Sequence, residues 1–272
     1  MLNLCTDDAA RSLSCQTQAV DKSYVITGIG LAALLVATIA IQRGAGIKLG
    51  FSPLWAAIRA VVQLAAIALI LNGILTKPWA AVLLLGFMMS VASWTSARRL
   101  AGIPRGTKAA VTGIVVAATL TILFVFLARM MEPTVPNIIA IGGILTGNAM
   151  SAATLTGRKF AAAARANRGE VEGWFALGAT PVQAFTQIAR SSVQEMLIPT
   201  IDTTKSTGLV TLPGAFVGAL MGGASPAEAA RFQLVVLVGI MFTQTVVGVV
   251  STRILSQATV ILPDEDAGKP KK

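Results

Sequence analysis

The sequence predicts an all-α, polytopic membrane protein, a bundle of about seven transmembrane helices. Of its 272 residues, 54% are hydrophobic and only 12% are charged, and the mean hydropathy is +0.73. An ordinary soluble domain has about 25% charged residues, whereas a membrane span needs about 20 mostly apolar residues. Several apolar runs of that length are present, so membrane spans account for most of the chain.

The apolar runs define the predicted spans in chain order. They are Tyr24–Ile41, Pro53–Leu75, Trp79–Trp94, Ala109–Leu127, Pro136–Thr156, Val193–Gly222 and Arg231–Ser251. Glycines and Asn148 weaken the fifth run, and polar residues interrupt the sixth, so six spans is an open alternative. Pro199 and Pro213 are expected to kink or break the sixth span, because proline removes a backbone donor.

Basic residues follow the odd-numbered spans, which predicts the orientation. They are Arg43, Lys48, Arg98, Arg99, Arg105, Lys108, Arg158, Lys159, Arg165, Arg168, Arg190 and Arg253. Cytoplasmic loops collect Lys and Arg. We therefore expect the chain to lie in the cell (inner) membrane, with its N-terminus outside the cytoplasm and its C-terminus inside it. The net charge of +10 therefore reflects topology. No face combines basic and base-reading groups, which argues against a nucleic-acid partner.

Three regions follow from this reading. A polar extracytoplasmic tail covers Met1–Ser23, a transmembrane domain covers residues 24–252, and a cytoplasmic tail covers residues 253–272. Cys5 and Cys15 both lie in the outer tail, where they could form a disulfide in an oxidising compartment or stay as free thiols.

Catalysis by this chain is not expected. It contains no histidine, which removes the commonest general base and metal ligand. It also has no G-x-x-x-x-G-K-[ST] loop for nucleotide phosphates. We therefore predict that the chain is not an enzyme and holds no cofactor of its own.

The basic loop of residues 157–192 is too long for a turn and predicts helices at Arg158–Asn167, Glu170–Leu177 and Pro181–Ser191. Thr180 and Pro181 have the pattern of an N-cap followed by Pro at the first helical position. Trp174 and Phe175 are aromatic side chains on this exposed loop and could anchor a partner. An amphipathic helix lying at the lipid interface is the alternative.

The order of residues in this loop resembles the cytoplasmic loop by which an ABC permease engages its ATPase. The predicted coupling residues are Glu172, Trp174, Phe175, Leu177, Gly178, Ala179, Thr180 and Pro181. The resemblance implies that ATP and Mg²⁺ bind to a separate ATPase subunit.

Polar residues within the predicted spans are candidates for a translocation pathway, because charges at membrane depth face a bundle interior or a wet cavity. Glu195 and Asp202 share a helix face, and Lys205 lies one turn beyond Asp202, within reach of an ion pair. Estimating the depth of each residue along its span places further polar residues in the same layer. The predicted layer comprises Arg59, Gln63, Asn148, Met150, Glu195, Asp202 and Lys205. An Asp202–Lys205 pair that only holds helices together is the alternative.

Several motifs resemble the bacterial iron-export ABC permease family, whose plant members are linked to aluminium tolerance. They are Arg59-Ala60-Val61-Val62-Gln63-Leu64, Gly147-Asn148-Ala149-Met150, the Glu172–Pro181 turn, Pro199-Thr200-Ile201-Asp202, Leu212-Pro213-Gly214 and Gly223-Ala224-Ser225-Pro226. The resemblance runs from about Tyr24 to Ser251. It implies a permease that works as two copies with two ATPase subunits and exports iron or a related metal species.

The residue chemistry leaves the cargo open. The spans contain no His or Cys, the ligands that a bare transition metal prefers, so a loose site shared across a dimer, or export of a metal chelate or organic anion, fits better. An ion-coupled secondary transporter that uses Glu195 and Asp202 is a rival. A seven-span receptor is another, although the last span has no lysine for a Schiff base.

Overall fold

A computed structural model describes residues 26–47, 49–74 and 78–258, and their regular structure is helical apart from one isolated bridge between Thr207 and Thr211. This confirms the predicted all-α, polytopic fold. The predictions for Met1–Ser23, including Cys5 and Cys15, and for the end of the C-terminal tail lie outside the described residues. The chain divides into two compact units, Met1–Gly73 and Ile74–Lys272.

The first unit consists of α1 (Ile26–Gly44) and most of α2 (Ser52–Ile74). Between them, Gly46 and Gly50 have φ values of 72° and 58°, which glycine adopts without steric cost. The Arg43 guanidinium lies 4.9 Å from the centre of the Phe51 ring. Most described side chains of both helices are exposed and apolar.

The second unit contains eight helices among its described residues. They are α3 (Pro78–Arg99), α4 (Gly106–Leu127), α5 (Val135–Ala166), α6 (Arg168–Ala176), α7 (Pro181–Ala184), α8 (Thr186–Ser206), α9 (Gly214–Met221) and α10 (Pro226–Leu255). The helices α4, α5 and α10 pack against one another in the centre, and α3 and α8 flank them. Small residues line the centre, so these helices approach closely, as is usual in membrane bundles. At Gly113, for example, an added Cβ would overlap the Ser251 hydroxyl.

Among the described residues, six helices are long and apolar enough to cross a membrane, namely α1 to α5 and α10. The predicted sixth span, Val193–Gly222, is not one continuous helix, in agreement with the break expected at Pro213: the region contains the end of α8, a turn at residues 207–213, and α9. The break coincides with Gly208, at φ 88°, and with Pro213, which has no N–H. Pro199 does not end the helix, since α8 continues past it to Ser206.

The helix α5 is longer than predicted. It continues through the first predicted loop helix, Arg158–Asn167, and ends at Ala166. Its 32 residues span about 48 Å at 1.5 Å per residue, well beyond the roughly 30 Å of a hydrocarbon core. The helix α5 is therefore longer than the hydrocarbon core is thick, and α6 follows directly after its C-terminal end.

Candidate coupling segment and polar layer

The α6–α7 segment, residues 168–184, has the local structure that its turn residues predict. Gly178 follows the end of α6 with φ 82°, Thr180 is the N-cap of α7, and Pro181 occupies its first turn. The backbone N–H of Thr180 and its hydroxyl both donate to Gln183 Oε1 at 2.8 Å. The predicted helix end at Gly178 and start at Pro181 are confirmed.

Aromatic packing anchors this segment to the bundle. The Phe185 ring lies between the ring of Phe160 on α5, at 5.5 Å, and the ring of Phe175 on α6, at 6.2 Å. Val171 of α6 is buried in the same cluster, together with Leu255 at the end of α10. The segment is therefore held at the end of the bundle where α5 and α10 finish and α8 begins. We refer to this as the α6–α7 end.

The outward face of the segment carries an open depression of about 440 Å³, lined by Trp174, Leu177, Gly178, Ala179, Gln183 and Thr186. Trp174 is 46% exposed and Leu177 is 83% exposed. Four predicted coupling residues thus lie around one surface feature. Glu172 is also exposed, and its carboxylate accepts a hydrogen bond from Arg168 Nε at 2.8 Å.

Hydrogen bonds along α10 give the directions of its neighbours. Arg231, near the start of α10, donates to the Met130 carbonyl just after α4 at 2.8 Å. Past the other end, Arg105 donates to the side chain of Gln257 at 3.1 Å. The helix α10 therefore runs antiparallel to α4, and its first residues lie at the end opposite to the α6–α7 end.

The helix α8 starts at the α6–α7 end and also runs antiparallel to α10. Its Thr200 lies level with Gln244 of α10, so Ser206 lies about 9 Å further along the bundle. Pro226 lies about 27 Å from Gln244 in the same direction. The turn after Ser206 is therefore at mid-depth, and α9 with its flanking turns covers the remaining distance. Together α8 and α9 cross the bundle as one broken helix.

A hydrogen-bonded polar layer lies beside this broken helix. The Thr200 hydroxyl donates to Gln244 Oε1 at 2.7 Å, and Gln244 Nε2 donates to Asn148 Oδ1 at 3.5 Å. Next to Gln244, the Thr243 hydroxyl donates to that of Thr121 at 2.8 Å. The layer joins α4, α5, α8 and α10 and satisfies polar groups that would otherwise be costly in a membrane.

Asp202 and Lys205 follow Thr200 along α8, on the side of this layer away from the α6–α7 end. They form the ion pair that their spacing predicts. Lys205 Nζ lies 3.2 Å from Asp202 Oδ1, and the side chains are 72% and 62% exposed. The two charges therefore sit on an open face of α8 at mid-depth.

Within the second unit, Glu195 and Met150 have other neighbours than this pair. Glu195 forms an ion pair of 2.7 Å with Lys159 of α5, nearer the α6–α7 end. Met150 packs against the central apolar cluster. Arg59 and Gln63 lie on exposed positions of α2 in the first unit. Among the described residues, no three His, Cys, Asp or Glu side chains form a group able to hold a metal ion.

Sequence reasoning did not single out Gln244, Thr243 or Thr121. A glutamine within an otherwise apolar span is a usable signal, because an intramembrane amide needs a hydrogen-bond partner. The two threonines give no such signal, since a hydroxyl can donate to the carbonyl four residues earlier, as that of Thr121 does to Ala117.

The fold and these sites define a multi-pass helical membrane protein with a protruding helical segment at one end and a broken helix inside its bundle. Residues 26–260 match the model described as "Uncharacterised protein family (UPF0014)", and the chain belongs to this family.

Three relatives illustrate the family. The chain is 39% identical over 201 residues to "UPF0014 membrane protein STAR2" of Oryza sativa subsp. japonica, which covers 73% of this chain and 70% of the relative. It is 33% identical to "Protein ALUMINUM SENSITIVE 3" of Arabidopsis thaliana, over 85% of each chain. It is 32% identical to "Probable iron export permease protein FetB" of Escherichia coli K12, over 79% of this chain and 85% of the relative. No solved structure matches the chain.

Proposed function

We propose that this chain is the membrane-spanning permease subunit of an ABC transporter, driven by a separate ATPase that docks on the α6–α7 segment. The observation that carries the proposal is the exposed depression around Trp174 and Leu177 on a firmly anchored segment. Large apolar side chains at the centre of a recessed surface are typical anchors of protein interfaces. ATP hydrolysis then belongs to the partner.

The connection from this segment into the membrane is direct. Only Phe185 separates α7 from α8, and the Phe185 ring is held by Phe160 and Phe175. A movement of the docked ATPase would therefore act on the start of α8. Because α8 ends at the mid-depth turn, its tilt would shift Asp202 and Lys205.

The surface of α8 offers side-chain oxygen atoms that could contact a cargo. The hydroxyls of Thr203 and Thr207 donate to the carbonyls of Pro199 and Thr203, both at 2.8 Å. Each hydroxyl proton is thereby engaged, so the oxygens can act only as acceptors toward a cargo. Oxygen ligands favour hard cations such as Mg²⁺, Ca²⁺ and Mn²⁺. Iron or a related metal species as the exported cargo is proposed from the printed name of the FetB relative, which states iron export for that protein.

We propose that a second copy completes the pathway. Leu209 and Val210 in the mid-depth turn are 92% and 81% exposed, and Asp202 and Lys205 are open on the same broken helix. Irregular backbone at membrane depth is tolerated only where protein covers it or a wet cavity adjoins it. In a homodimer in the cell (inner) membrane, these groups would face a shared cavity.

Co-purification with a co-expressed ABC ATPase tests the docking surface. Leu177→Glu and Trp174→Glu should abolish recovery of the ATPase, because each replaces a large apolar side chain of the depression by a charged one. Gln187→Glu is the matched control, since Gln187 is exposed at the same end but lies outside the depression. Equal recovery with all three variants would show that the ATPase does not dock there.

A further inference from the structure

One face of α3 is exposed along its length and is mostly apolar up to its last turn, with Ser90, whose hydroxyl donates to the Gly86 carbonyl, as its polar residue. Trp79, Leu83, Phe87 and Trp94 share this face and are 62% to 66% exposed. The two tryptophans are 15 residues apart, about 22 Å along a helix. Tryptophan concentrates at membrane–water interfaces. The face therefore contacts lipid, and Trp94 lies close to the headgroup level at the α6–α7 end.

The neighbouring helix α4 has a matching face. Its exposed side chains run from Lys108 through Val115 and Leu123 to Leu127. Lys108 and Leu127 are separated by about 28 Å, close to the roughly 30 Å thickness of a hydrocarbon core. Since a short turn joins α3 to α4, Lys108 lies at the same headgroup level as the end of α3.

Basic side chains cluster where the two apolar faces end. Arg98 and Arg99 form the last turn of α3, and the Arg98 guanidinium lies 5.1 Å from the centre of the Trp94 ring. Residues 94–112 contain no Asp or Glu. Within the described part of the chain, neither Arg98, Arg99 nor Lys108 forms an ion pair. Three exposed cations, two in the last turn of α3 and one in the first turn of α4, thus have no acidic partner among the described residues.

An open cavity of about 640 Å³ lies in the turn that follows Arg98 and Arg99 along the chain. Its lining includes Gly102, Pro104, Arg105, Thr107 and Lys108. Arg105 has φ 59°, and its side chain is held by the hydrogen bond to Gln257. Two cations, Arg105 and Lys108, therefore border this open cavity.

We infer that the α3–α4 turn binds the headgroup of an acidic phospholipid. The phosphate would lie between Arg98, Arg99 and Lys108, and the acyl chains would follow the exposed apolar faces of α3 and α4. A lipid is favoured over free phosphate because the cations stand where two lipid-facing surfaces end. A basic pocket between transmembrane helices is a known form of acidic-headgroup site.

The full chain in phosphatidylcholine nanodiscs, probed with spin-labelled phosphatidylglycerol and spin-labelled phosphatidylcholine, tests this site. The wild type should prefer the phosphatidylglycerol label. The triple variant Arg98→Gln, Arg99→Gln, Lys108→Gln should lose that preference by about fivefold for each cation in contact. The pair Arg98→Lys, Arg99→Lys should retain it, which separates loss of charge from misfolding.

The matched control is Arg158→Gln, Arg190→Gln, Arg253→Gln, which removes the same charge from exposed positions at the same end and should leave the preference unchanged. If both triple variants lost the preference for the phosphatidylglycerol label equally, general surface charge would explain the preference, and the proposed site would be wrong. Displacement of the labelled lipid by excess inorganic phosphate would overturn the lipid assignment. An unchanged lipid preference in the first triple variant, combined with lost recovery of the ATPase, would assign these cations to a protein interface instead.

Discussion

Asp202 and Lys205 form an ion pair of 3.2 Å on an open face of α8, at mid-depth of the bundle. A charged side chain at membrane depth is costly unless it faces a bundle interior or water. Their exposure in the single chain makes this face the best candidate for contact with the cargo.

Asp202→Asn and Lys205→Met should each lower the transport rate by about tenfold or more, because each leaves an unpaired polar group on the proposed pathway. A barrier higher by about 1.4 kcal/mol already lowers a rate tenfold. Transport into inverted vesicles that contain the ATPase is the measurement. Recovery of the ATPase should not change, and Glu132→Gln, an exposed acid at the opposite end, is the control. Full transport by both variants would show that the pair only supports helix packing.

Gln244 connects two other helices, since it accepts from Thr200 and donates to Asn148. Thr200→Val and Gln244→Leu should each destabilise the protein, and the double variant should lose less than the sum. A coupling of about 0.6 kcal/mol, and at most about 1.7, is expected for a hydrogen bond within a membrane bundle. The stabilities of the wild type, the two single variants and the double variant form a double-mutant cycle, which thermal unfolding in detergent measures. Strict additivity would contradict the bond between these two side chains.

At the scale of the elements, the contact between α4 and α10 depends on Gly113. A Cβ there would overlap Ser251 Oγ, and the Ser251 hydroxyl is engaged by the carbonyl of Ala109 at 3.1 Å. Gly113→Ala should therefore destabilise the bundle by about 1–3 kcal/mol, as overpacking does.

Gly86→Ala is the matched control for this change. Gly86 lies on the exposed face of α3, where an added Cβ would meet nothing within 4 Å, and alanine is the better helix former by about 1 kcal/mol. The control should be neutral or stabilising in a thermal unfolding assay. A similar fall in melting temperature for both variants would argue against close packing of α4 on α10.

The extent of each helix could be predicted from the sequence only where hydrophobicity marks it. The runs that predict α4 and α10 are apolar through the membrane, and both helices lie where they are expected. The continuation of α5 past Gly157 was missed because its residues are basic, although the alanine-rich stretch before Ala166 favours a helix. Of the two breaks expected in the sixth span, the one at Pro213 lies at the start of α9, whereas α8 continues past Pro199.

The candidate site was only partly predictable, for a geometric reason. Depth counting gives the level of a residue in the membrane but not the direction in which its helix face points. Asn148 was expected in the same half of the membrane as Glu195 and Asp202, but its hydrogen bond with Gln244 on α10 was not predicted. Glu195 was expected on the same helix face as Asp202, two turns before it, but its ion pair with Lys159 of α5 was not predicted. Turn chemistry is local, so the end of α6 at Gly178 and the cap at Thr180 were predictable.

At the scale of the whole molecule, the central proposal is that the α6–α7 segment passes the energy of ATP hydrolysis into the broken helix α8–α9. The most direct measurement is iron transport by the full chain reconstituted in vesicles, with and without an ABC ATPase. We expect transport only when the ATPase and ATP are both present, and its loss in Leu177→Glu. Iron movement by the chain alone, at the same rate without ATPase or nucleotide, would contradict the proposal.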